Sequence, residues 1–188
     1  MVRLLLLPPL AVLLGATAAQ AHPQGFHKKV VLNVSRYRID GLITMDVDGG
    51  ERCRLIRDGA DANRDGVLSG DEVKALKDKL LRLATLALKL SLSGFPVPPQ
   101  VKDVKLDLRK DRAVSESGVS IAVLLEDPHP AAVHVGTELV VEDASPDQSP
   151  VHVEVNQALP DGGVEPPAAT ELEPGVKWKV RLGPLAPL

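Results

Sequence analysis

The sequence predicts an α+β protein: an antiparallel β-sandwich or barrel of about seven strands, carrying an inserted helix–loop–helix. Three observations point there. Apolar residues alternate with polar ones in most of the chain, as one-sided strands require. One stretch, from Val73 to Leu90, repeats its apolar residues at steps of three and four, the spacing of a buried helical stripe. Before that stretch stands DANRDGVLSGDE, Asp61 to Glu72, a segment too polar and too short of periodicity to be either.

At the N-terminus Arg3 precedes the apolar run Leu4 to Leu14, and Ala19-Gln20-Ala21 offers a small-x-small cleavage site. The run is short for a membrane span, and Pro8-Pro9 would interrupt one. Residues 1–21 are therefore expected to be a secretory signal, cleaved after Ala21, and the protein to be periplasmic or secreted. Cys53 is the only cysteine, so no internal disulfide can form. In an apolar stripe, it reads as a small buried hydrophobe.

Residues 22–48 read as a β-hairpin. Val30, Leu32 and Val34 alternate, and near Ser35 the apolar phase shifts to Tyr37 and Ile39. Asp40-Gly41 is a dipeptide suited to a two-residue turn, with Ile43, Met45 and Val47 forming the return strand. Residues 49–94 are expected to form the helix–loop–helix. Its incoming helix, Glu51 to Ala60, places Cys53, Ile56 and Ala60 on one face, with Arg57 standing where an apolar residue would fit. The outgoing helix carries Val73, Leu76, Leu80, Leu83, Ala87 and Leu90 in one stripe, and Gly94 and Pro96 are expected to end it.

The loop between them fits D-x-[DN]-x-[DN]-G-x5-E at every specified position, the pattern of a twelve-residue calcium loop. It resembles an EF-hand, over the loop and its two flanking helical segments. The resemblance implies calcium as the cofactor and a ligand set of Asp61, Asn63 and Asp65 by side-chain oxygens, Val67 by its carbonyl, Ser69 directly or through a water, and Glu72 by both oxygens. Gly66 would permit the sharp turn. Ser69-Gly70-Asp71-Glu72 also reads as a capped helix start, with Leu68 and Val73 able to pack as a staple. A second loop is not evident: from Asp46, Gly50 falls where a ligand is needed, and DLRKDR from Asp107 puts Arg112 where the glycine should be. The ion is therefore expected to be structural.

Residues 95–188 return to period two. Val104, Leu106 and Leu108 alternate, as do Val119 to Leu125, then Val133, Val135, Leu139 and Val141, then Val151 to Val155, and last Val176, Trp178, Val180 and Leu182. Each strand shows one wet face, which favours antiparallel pairing. Ala158 to Gly175, rich in Pro and Gly, reads as a loop.

Other functions are poorly served. Aromatics make up 2% of residues and charge is dispersed with a net of −3, so neither stacking platforms nor a basic patch for nucleic acid exists. No G-x-S-x-G, H-E-x-x-H or phosphate loop is present, and the protein is expected not to be an enzyme. The alternative is a periplasmic carrier of copper, nickel or cobalt, or a transporter accessory. Cleavage after Ala21 would leave His22 as an N-terminal amine and imidazole, a competent chelator of such ions. The opening HPQGFH resembles exported proteins associated with nickel or cobalt transport, and sandwich-like periplasmic copper carriers also use a mature N-terminal His.

Overall fold

A computed structural model describes residues 26–86, 88–98, 100–109, 111–128, 133–144, 149–160 and 164–186. The expected signal segment, its cleavage site, His22 and His129 lie outside them. Among the described residues ten strands form two open sheets and no closed barrel, so the sandwich form of the expected fold is the one adopted. The six-stranded sheet has the order β5-β6-β2-β1-β8-β9, from Gln100–Asp107, Val119–Pro128, Arg38–Val47, Phe26–Val34, Val151–Ala158 and Val164–Leu172. The four-stranded sheet has the order β10-β7-β3-β4, from Lys177–Arg181, Glu138–Asp143, Leu88–Leu92 and Phe95–Pro96. Two helices, α1 (Glu51–Asp58) and α2 (Gly70–Thr85), separate β2 from β3. No helix among the described residues is long and apolar enough to cross a membrane.

The alternation read from the sequence is the alternation of burial. Val30, Leu32 and Val34 of β1, Ile39, Ile43, Met45 and Val47 of β2, and Val119 to Leu125 at odd numbers in β6 all face one core. Leu139 and Val141 of β7, Leu90 of β3 and Val180 of β10 meet them from the second sheet, and Leu76, Leu80 and Ala84 of α2 complete the layer against β2 and β6. Each such Val, Leu, Ile or Met side chain contributes roughly 1.5–3 kcal/mol by leaving water.

Several expectations are corrected. The first hairpin turns at Ser35–Tyr37, where the amide and hydroxyl of Ser35 both donate to the Arg38 carbonyl at 2.9 Å. Asp40 and Gly41 instead lie within β2, opposite Asn33 and Leu32. The phase shift near Ser35 was the turn itself. Gly41 serves close approach: a Cβ there would lie 3.2 Å from Leu125 Cβ and 3.3 Å from Leu32 Cδ2.

The outgoing helix ends at Thr85, and Leu88 and Leu90 belong to β3. Their stripe satisfies both periods, since Leu88 and Leu90 are buried with exposed Lys89 between them. Pairing with β7, which sets Leu90 beside Val141 and Leu92 beside Leu139, decides for the strand. Ser93 and Gly94, with φ of 47° and 84°, form the two-residue turn into β4 in place of a helix stop.

The expected loop from Ala158 to Gly175 contains β9, paired antiparallel with β8. Pro166 and Pro167 fall at the register shift between Val155 and Gln157, where neither has a partner across the ladder, and β9 is an edge strand, so their missing amides cost no pairing. Val133 and Val135 precede β7 instead of forming part of it. One pair, β1 with β8, is parallel, which the wet faces had argued against. Burial on one face sets the period and leaves strand direction open; the chain passes through β7 in the other sheet before returning as β8.

A buried ion pair joins the layers. Lys28 points inward from β1 and its ammonium bonds the Asp143 carboxylate at the end of β7, both side chains being almost wholly removed from solvent. Removing one member of such a pair leaves a buried charge without that partner. Lys28→Met is therefore expected to cost about 3–5 kcal/mol in urea unfolding, and Lys28→Met with Asp143→Leu to cost less than the sum of the single changes. Additive losses would show that the pair does not couple the sheets.

Candidate metal site

The insertion between β2 and β3 begins on α1, which follows Gly50. The Cys53 thiol is fully buried and donates toward the carbonyls of Val47 and Asp48, and burial pushes its pKa up, so it stays an unreactive thiol. The helix closes on Arg57, whose carbonyl accepts from the amides of Ala60 at 2.9 Å and Asp61 at 3.0 Å. That places Asp61 at the mouth of the turn.

From Asp61 the chain folds over its own side chains. Asp61 Oδ2 accepts from the Gly66 amide at 2.9 Å, Asn63 Oδ1 from the Asp65 amide at 3.0 Å, and Asp65 Oδ1 from the Val67 amide at 2.8 Å. Short carboxylates and amides two or more residues ahead of a free N–H make such bonds locally, which is why this composition forms a tight loop. Arg64 and Gly66 take left-handed conformations, with φ of 60° and 82°. Gly66 adopts its own without the Cβ penalty.

Glu72 closes the ring from α2. Its Oε1 accepts from the amides of Ala62 at 2.8 Å and Asn63 at 3.2 Å, and its Oε2 from that of Ser69 at 2.8 Å. The Ser69 hydroxyl accepts from the Glu72 amide at 3.4 Å, completing the capping box expected from the sequence. The Ser69 amide and hydroxyl, then the amides of Asn63 and Ala62, hold the Glu72 carboxyl below its ordinary value. Leu68 is buried and joins the core, with Val73 packed against it.

Asp61 is the exception to this economy. It is 7% exposed, and while Oδ2 is bonded, Oδ1 is buried and accepts nothing. An orphaned buried carboxylate oxygen is costly. Of the six expected ligands, the hydrogen bonds link Asp61, Asn63, Asp65, Ser69 and Glu72 into one loop, and Val67 stands within it with its side chain exposed. Among the described residues, no three His, Cys, Asp or Glu side chains form a group that could hold a metal, so any cation here relies on the amide and carbonyl oxygens as well.

Two partners of the loop were missed in the sequence. Arg57 has no exposed surface, and its guanidinium donates to five main-chain carbonyls: Asp111 at 2.6 Å, Ala113 at 3.1 Å, Leu108 and Ser117 at 3.2 Å, and Gly118 at 3.4 Å. All five lie in the connection between β5 and β6. That connection then pairs with the polar loop, the Leu68 amide donating to the Arg112 carbonyl and the Val114 amide to the Gly66 carbonyl, each at 2.8 Å, about the bridge Val67–Ala113. An arginine at an apolar helical position was the available signal; its destination was not.

The described histidines stand apart. His27 Nε2 lies 2.7 Å from Asp48 and His152 Nδ1 2.7 Å from Glu171, both exposed, and His134 is exposed before β7. No family model matches the chain, and no curated protein matches it.

Asp111 organises the β5–β6 connection, its carboxylate accepting from the hydroxyls of Ser115 at 2.6 Å and Ser117 at 2.9 Å and from the Ala113 amide at 2.8 Å. The Ser115 hydroxyl first, then the Ala113 amide and the Ser117 hydroxyl, hold its carboxyl below the ordinary 3.8. A carboxyl lowered on folding adds stability that is complete above its unfolded pKa and is lost as pH falls through the folded one. Asp111→Asn should therefore lower the melting temperature at pH 7, with the gap to wild type closing only below about pH 3.8. Melting curves between pH 2 and 7 test this; a gap that persists unchanged at pH 2 would remove the charge from the explanation.

Proposed function

We propose that the 61–72 segment is an EF-hand calcium loop and that the protein is a calcium-binding, non-enzymatic exported protein in which the ion is structural. The observation that carries this reading is the orphaned Oδ1 of Asp61, buried at the first ligand position of the loop. A bound cation gives that oxygen the partner it lacks. Calcium suits the remaining donors, since it accepts six to eight oxygens of mixed type at flexible geometry, whereas magnesium demands near-octahedral ligation and keeps its waters. Asp61, Asn63, Asp65 and Glu72 would hold it with the Val67 carbonyl, and Ser69 would contribute through a water while capping α2. Glu72 is ionised at neutral pH, because the amides that bond it favour its charged form.

The structural role follows from what is already covered. A sensor hand exposes an apolar groove on binding. Here Leu68, Leu76 and Leu80 are buried in the common core, and Met45, the one methionine besides the initiator, is buried with them. Since α2 packs on β2 and β6, exposing those side chains would open the sandwich itself. For an exported protein, binding on the order of 10⁻⁴ to 10⁻³ M is enough.

Isothermal titration with Ca²⁺ tests the reading. At about a hundred times the dissociation constant, binding adds roughly 2.7 kcal/mol to the folded state, which should raise the melting temperature by about 5–10 °C. Glu72→Gln should weaken Ca²⁺ binding by about tenfold or more, a loss of ~1.4 kcal/mol, while hardly changing any response to Mg²⁺. No heat of binding in the wild type would overturn the calcium reading, and a large Ca²⁺-dependent gain in hydrophobic-dye binding would overturn the structural role.

A further inference from the structure

We propose that the segment 107–118 is a metal-free counterpart of the calcium loop, in which the Arg57 guanidinium occupies the place of an ion, and that it sets the shape of the 61–72 loop before calcium arrives. This rests on the calcium reading above and adds a positioning residue to it.

The segment wraps a cation as a ligand loop does. Five carbonyl oxygens, those of Leu108, Asp111, Ala113, Ser117 and Gly118, turn inward onto a single guanidinium, and main-chain carbonyls turned off the solvent need such a donor. The turn is built from the same local chemistry as the calcium loop. Asp107 Oδ1 accepts from the Arg109 amide at 2.7 Å, Arg109 is left-handed at φ 53°, and the Asp111 carboxylate gathers the chain from Ala113 to Ser117. What differs is the source of the positive charge: it is covalently part of α1.

The segment also touches the helix–loop–helix at three places. The Gly50 amide at the start of α1 donates to the Glu116 carbonyl at 2.7 Å, Arg57 near its end reaches the five carbonyls, and the bridge between Val67 and Ala113 holds the loop itself. Gly49 is fitted so closely to the segment that a Cβ would lie 2.9 Å from the Glu116 oxygen. Its two ends continue into β5 and β6, which pair with each other. Arg57 thereby acts twice on Asp61: its carbonyl fixes the Asp61 amide, and its side chain fixes the strand-like segment to which Gly66 and Leu68 are bonded. A loop held this way gives up less freedom when it binds an ion, and affinity rises by that saving.

The test combines Ca²⁺ titration with amide hydrogen exchange in Ca²⁺-free protein. Arg57→Met keeps most of the volume and removes charge and fork; Arg57→Lys keeps the charge alone. Arg57→Met should weaken Ca²⁺ binding about tenfold and speed exchange of the Leu68 and Val114 amides by a similar factor, with Val30 and Ile43 in the central strands unchanged; Arg57→Lys should fall between. If Arg57→Met does not fold, Ser115→Ala with Ser117→Ala loosens the Asp111 turn while leaving Arg57 in place, and should move the same two readouts in the same direction. Wild-type affinity together with wild-type exchange at Leu68 and Val114 in a folded variant overturns the inference. Faster exchange in the variants of a protein whose wild type binds no Ca²⁺ would keep the two-loop pairing and overturn the calcium reading alone.

Discussion

A guanidinium taken fully out of water must find donors' partners inside the protein, and Arg57 finds five of them in main-chain carbonyls. Burying that charge carries a desolvation cost, and its Nε–H remains without a hydrogen bond. The return is organisation. One side chain satisfies the carbonyls of a connection that would otherwise be an irregular turn, and joins α1 to the far pair of strands in the six-stranded sheet. The connection it holds also meets the polar loop, at the bridge between Val67 and Ala113, and the start of α1, where the Glu116 carbonyl accepts from the Gly50 amide.

The sandwich around this anchor is built almost without aromatic side chains. Branched aliphatics fill it, and their value comes from number and close packing; at Gly41 an added methyl group would press on Leu125 at 3.2 Å and Leu32 at 3.3 Å. Such a core is apolar and forgiving about which strands face one another. The inward pair of Lys28 and Asp143 supplies a directional contact between the layers that aliphatic packing does not. Like Arg57, it trades transfer energy for geometry.

The polar loop obeys a different rule. Its bonds run mostly between residues two to five apart, from Asp61 to Gly66, Asn63 to Asp65 and Asp65 to Val67, and Glu72 reaches back ten residues only because α2 begins in between. Interactions of that range are written in local composition, and so the loop, its capping box and the helix start after Ser69 could be read from the chain directly. The same holds for one-sided burial in β1, β2, β6 and β8, since alternation is a property of neighbours in sequence.

What the sequence could not carry was every feature settled by partners far along the chain. Leu88 and Leu90 fit a helix as well as a strand, and only the edge offered by β7 chose between them. Pro166 and Pro167 argued for a loop, yet the free side of β8 accepted an edge strand there. Alternation marked one wet face on β8 without saying that it would run parallel to β1. Arg57 meets carbonyls 51 to 61 residues away, a separation at which no local pattern constrains the contact. Local hydrogen bonding and periodicity thus determined the elements and the loop, and tertiary pairing decided direction, edges and the buried cation, because those depend on which surfaces remain unsatisfied once the elements have formed.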